Sequence, residues 1–134
     1  WGVMTMLYKM YSLPEIRFVG GSSEDLQFNM YYDEEKTKPF NLFGGEANFS
    51  IVNFINKNST PLVSKGMEIG MNDAETHYNV VRVSLEPADT VDLFGKFVYQ
   101  ITLKDIDGNV DIPHQGIINI HNNIDKAFTK RKSN

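Results

Sequence analysis

The side chains that could do chemistry are few and scattered. The richest stretch is DIDGNVD, where Asp105, Asp107 and Asp111 bring three carboxylates close together. Such a run could hold calcium, but an EF-hand loop needs oxygen ligands at positions 1, 3 and 5, glycine at 6 and a bidentate glutamate at 12. Here Gly108 falls at the fourth position and no glutamate follows it. Aspartate before glycine, between two alternating runs, is what a tight hairpin turn prefers. The histidines are His77, His114 and His121. No two are four apart, as paired zinc ligands on a helix would be, and His114 and His121 on one expected strand would point to opposite faces. The chain has no cysteine, so thiolate metal sites, disulfides and a cysteine nucleophile are excluded. There is no G-x-S-x-G elbow, and GGSSED lacks the lysine of a phosphate loop. Glu34, Glu35 and Lys36 read as a charged hairpin tip. No catalytic residue, cofactor-binding residue or metal ligand is expected, and an enzyme is disfavoured.

The elements that would position any site follow a period of two, the mark of strands with one buried face. Leu26, Phe28 and Met30 alternate with polar neighbours, as do Ala47, Phe49 and Ile51, then Val81, Val83 and Leu85, then Phe97, Tyr99, Ile101 and Leu103. The pattern predicts strands near 25–31, 46–54, 79–86, 96–104 and 117–120. Turn-forming residues at Gly20 and Gly21, at Gly44 and Gly45, in NKNSTP and in DIDGN separate them. VDIPHQGIINI contains Pro113 and Gly116, so an interrupted strand at a sheet edge or with a bulge is expected there. EPADTVDLFG is expected to form a short helical turn before the penultimate strand. A sheet with one apolar face must cover it with another layer. The expected fold class is therefore all-β, an immunoglobulin-like antiparallel β-sandwich. The register puts Phe97 in the core and turns Val98 to the opposite face.

A chain of 134 residues suits one domain, and 41% hydrophobic with 22% charged residues is ordinary for a folded protein. The expected division is an N-terminal extension at 1–12, the sandwich at 13–121 and a C-terminal tail or linker at 122–134. The net charge of −4, with KAFTKRKSN as the only basic run, gives no footprint for nucleic acid. No apolar run approaches the ~20 residues that cross a bilayer, so no membrane partner is expected. WGVMTMLYKMYSL lacks the basic start and cleavage site of a signal peptide. Phe28, Phe49, Phe97 and Tyr99 lie on the inward phase. Tyr31, Tyr32 and Phe54 fall off that phase or at strand ends, which makes them the candidates for a partner surface.

Taken together, PFNLFGGEANFSI, PLVSKGMEIG, VVRVSLEPADTVDLFGKFVYQITLKDIDGNV and QGIINI resemble the N-terminal domain of the baseplate upper protein family of tailed phages. Pro39, Leu42, Gly45, Ala47, Gly95, Tyr99, Asp107 and Gly108 carry the resemblance. It implies a short strand within PLVSKGMEIG and no active-site residue. It implies a virion structural module of a phage or prophage tail, made in the bacterial cytoplasm before assembly. Such modules link the tail hub to receptor-recognition parts, in several copies, so the implied partners are other tail or baseplate proteins and further copies of the chain. The alternative is a carbohydrate-binding or adhesive immunoglobulin-like domain of a cell-surface or secreted protein, which an exposed aromatic platform would favour.

Overall fold

The computed structural model describes residues 13–131 except Lys57 and His114. The expected extension at 1–12, the facing of His114 and the last three positions of the expected tail lie outside the described residues. The elements in chain order are β1 (Ile16–Val19), β2 (Glu24–Asn29), β3 (Glu46–Asn53), β4 (Val63–Gly70), β5 (Val80–Leu85), α1 (Pro87–Thr90), β6 (Gly95–Lys104), β7 (Val110–Asp111), β8 (Gly116–His121) and α2 (Lys126–Lys130).

Strands follow the order β1-β8-β6-β3-β4-β5-β2, with β7 attached to β6. The path becomes two layers at β4, whose residues Val63 to Met67 belong to the β3 side while Glu68, Ile69 and Gly70 pair with β5. One layer is β1, β8, β6, β3 and the first part of β4; the other is the rest of β4 with β5 and β2. Phe28 on β2 lies 5.9 Å from the Tyr99 ring on β6, and Phe49 on β3 lies 5.7 Å from that same ring. The fold is the expected all-β immunoglobulin-like sandwich, with a short helix before β6. Among the described residues the pairings are antiparallel except one: β1 runs parallel to β8, with Ile16 opposite Ile118.

The inward phase read from the sequence is the core. Phe28, Met30, Ala47, Phe49, Ile51, Val81, Val83, Leu85, Phe97, Tyr99, Ile101 and Leu103 are all buried in one cluster. One expectation needs correction. Val98 does face away from that cluster, yet it is buried at 4% exposure, beside Val52 and Ile117 in the facing register. An apolar outward residue flanked by two more is covered by its neighbours even on the wet side. The strand around Pro113 is interrupted as expected: β7 and β8 both pair with β6, and the register slips by one residue between Leu103 opposite Asp111 and Tyr99 opposite Gly116. β1 covers only Ile118 to His121, so β7 and the Gly116 and Ile117 start of β8 have no pairing to β1 on their outer side.

Asn123 donates through Nδ2 to the Gly20 carbonyl at 2.7 Å, and Lys130 pairs with Asp92 at 3.0 Å, so the segment after β8 touches the β1–β2 turn and the turn that follows α1. α1 itself is set by its first residues. Pro87 supplies a pre-formed helical φ, and the Asp89 carboxylate accepts the Glu86 N–H at 2.7 Å.

Candidate functional site

β6 spans ten residues, which at ~3.3 Å per residue separates its two ends by about 30 Å. Those ends carry most of the exposed apolar side chains that the loops present.

At the Lys104 end, three segments converge. The chain entering β3 is pinned by Phe40 N–H donating to the Met30 carbonyl at 3.2 Å and Leu42 N–H donating to the Tyr78 carbonyl at 2.8 Å. Gly45 then crosses the end of β6 so closely that a Cβ would fall 2.2 Å from the Lys104 carbonyl oxygen. Phe43, 60% exposed, rests against Tyr78 with ring centres 5.0 Å apart. Tyr32, 43% exposed, stacks on the buried Phe40 at 3.8 Å, and Tyr31 bridges to Pro39. Beyond Lys104 the chain turns back through a hairpin held by Asp105. Its Oδ1 accepts the N–H groups of Asp107 and Asn109, each at 2.9 Å, and Gly108 takes a left-handed φ of 87°. The expected hairpin is therefore present, and it displays Ile106 at 67% exposure with Asp107 beside it.

At the Gly95 end, the outward residues of neighbouring strands form a row. Arg17 on β1 stands opposite Asn119 on β8, and Asn119 opposite Lys96 on β6. The Lys96 ammonium sits over the Phe54 ring, 4.4 Å from its centre. Glu15 closes the row by accepting from Arg17 at 2.7 Å and from Asn119 at 2.8 Å. Arg17, Phe94, Gly95, Lys96, Asn119, Ile120 and His121 line a shallow depression, with Phe94 67% exposed at its rim.

Of the three expected interface residues, Tyr31 and Tyr32 thus share the Lys104 end, while Phe54 lies at the opposite end and props up a cation. They do not form one patch. Parity missed Ile106, Phe94 and the row of Arg17, Asn119 and Lys96. That row becomes readable only once β1 is known to pair with β8.

Charge at these ends is organised by local hydrogen bonds. Asp33 is buried beneath the 31–39 loop, and its carboxyl is held below the usual value, foremost by the Thr37 hydroxyl, with burial opposing and the Thr37 and Lys38 N–H groups adding. Asp105 is lowered in the same direction, foremost by the Asn109 side chain at 3.1 Å and then by its N–H. For Asp89 burial pushes upward, but the Lys65 ammonium at 2.8 Å and the Glu86 N–H outweigh it, and the net shift is down. Among the described residues, no group of three or more His, Cys, Asp or Glu side chains gathers in a way that could hold a metal ion.

No family model and no curated protein matches the chain. Among solved structures it is similar to CopC from Methylosinus trichosporium OB3b, at 16% identity over 90% of this chain and 92% of that one, with a TM-score of 0.38. A likeness of that degree passes no ligand and no role to this chain.

Proposed function

We propose that this chain is a non-enzymatic structural module of a phage or prophage tail baseplate, acting in the virion by joining the tail hub to receptor-recognition parts. One observation carries the reading. The residues through which the sequence resembles the baseplate upper protein family are frame positions: Leu42, Ala47 and Tyr99 are buried, Gly45 lets the chain cross β6, and Gly95 and Gly108 take positive φ. What those residues build is a stiff sandwich whose exposed apolar side chains cluster at its two ends. That arrangement suits a spacer that docks at both ends better than a cleft that binds a small substrate.

The test is co-expression with the tail-hub and distal tail proteins encoded beside it, followed by size-exclusion chromatography with light scattering. Co-elution that Tyr32→Ala or Phe54→Ala abolishes, with the fold intact, supports the module. A second reading, a carbohydrate-binding or adhesive domain, draws on the exposed Tyr32 ring stacked on Phe40. Binding to cell-wall polysaccharide without any tail protein, lost in Tyr32→Ala, would replace the first reading with the second.

A further inference from the structure

Resting on the module reading, we infer that the two ends of β6 are complementary halves of one self-docking contact: the hairpin tip at Ile106 and Asp107 of one copy seats in the Arg17, Phe94 and Lys96 depression of the next. The tip is acidic and rigid. Asp105 and Asp107 are its charged residues, and Asp105 is committed to holding the turn, so Asp107 is the carboxylate displayed beside the exposed Ile106. The depression has the opposite character. Lys96 and Arg17, the latter paired with Glu15 at 2.7 Å, border the exposed Phe94, and the Phe54 ring beneath Lys96 fixes where its ammonium stands. Gly95 is its floor, with open space where a Cβ would be. Each half therefore offers an apolar anchor beside charge, carboxylates at the tip and two cations against the single Glu15 carboxylate at the depression, so the net signs are opposite.

Geometry decides how the halves meet. They lie at opposite ends of one strand, about 30 Å apart, so a chain cannot satisfy its own depression. Contact between unlike surfaces is heterologous and propagates head to tail instead of closing a two-fold dimer. A hairpin tip covers only part of the about 800 Å² per partner of a standard interface, so the contact is weak alone and gains from tethering to a hub.

The experiment is sedimentation velocity on the chain over a concentration series, at about 0.01 M and about 1 M salt, where the screening length is about 30 Å and about 3 Å. The expected result is mass that grows beyond a dimer with concentration at low salt and collapses to monomer at high salt. Two variants then separate the halves: Ile106→Ala/Asp107→Asn removes the tip, and Arg17→Ala/Lys96→Ala removes the depression. Each alone should stay monomeric with an unchanged circular dichroism spectrum. Mixed, they should form a one-to-one dimer that grows no further, since one intact tip meets one intact depression. A dimer insensitive to either variant, or a monomer at every concentration, overturns the inference. A monomer that still co-elutes with tail proteins leaves the module reading standing, whereas a chain that self-associates but ignores them removes that reading alone.

Discussion

Tyr99 fills the space that a side chain on Gly116 would need. The two residues face each other across β6 and β8, and a Cβ on Gly116 would fall 2.5 Å from the Tyr99 ring. The ring is fully buried between Phe28 and Phe49, so it has nowhere to retreat, and its hydroxyl donates to the Pro14 carbonyl at 2.5 Å. Gly116→Ala should cost about 1–3 kcal/mol, the usual penalty for overpacking. Tyr99→Phe keeps the ring and removes one hydrogen bond, and should cost about 1 kcal/mol. Urea unfolding monitored by near-ultraviolet circular dichroism checks both; a neutral Gly116→Ala would show that β8 can slide on β6.

Gly45 makes a sharper case, because its neighbour is backbone rather than a ring. A Cβ there meets the Lys104 carbonyl at 2.2 Å. Gly45→Ala must move one of the two chains, so its loss should equal or exceed that of Gly116→Ala, and the change should spread to the Asp105 hairpin. Chemical shifts of the 104–109 amides are the readout.

Phe97 and Val98 test the two faces of β6. Phe97→Ala should cost about 3–5 kcal/mol as a core truncation. Val98→Ala should cost about 1–3 kcal/mol, more than an exposed valine would, because it too is buried. A Val98→Ala change within about 0.5 kcal/mol of neutral, as surface substitutions are, would restore the wet-face assignment.

Acid sensitivity follows from the three lowered aspartates. Their folded values lie below the ordinary 3.8, so their contribution to stability is fully present above that pH and is lost as pH falls through the folded values. The melting temperature should therefore not vary on their account between neutrality and about pH 5, where their contribution is complete, and should drop below about pH 4. Thr37→Val removes the foremost cause at Asp33 and Lys65→Met the ion pair at Asp89. Each should shallow that acid limb relative to its own neutral-pH stability; an unchanged limb in both would show that other carboxylates govern it.

What was legible in the sequence and what was not separate along one line. Strands with a dry face and a wet face show themselves by alternation, and β2, β3, β5 and β6 lie where it put them. The Asp107 and Gly108 turn and the helix opened by Pro87 were equally plain, because each depends on neighbours in sequence. β4 was not visible from periodicity, since Lys65 occupies an inward position; its ammonium reaches out to Asp89 and to the Ser84 carbonyl at 2.9 Å. β1 escaped because four residues give too short a pattern and its partner lies at the other end of the chain. The candidate surfaces suffered for the same reason. Which exposed aromatic stands near which charge depends on pairings that no local window contains.

The parallel pairing of β1 with β8 also has a consequence during synthesis. Ile16 and Ile118 are separated by about a hundred positions, so β1 emerges from the ribosome long before the strand that completes it, by about 5–20 s at ~5–20 residues per second. Until then β1 has no sheet to join, and β8 lacks one of its two neighbours. The sandwich closes only when β8 arrives between β6 and β1, joining strands from opposite ends of the described chain in one step.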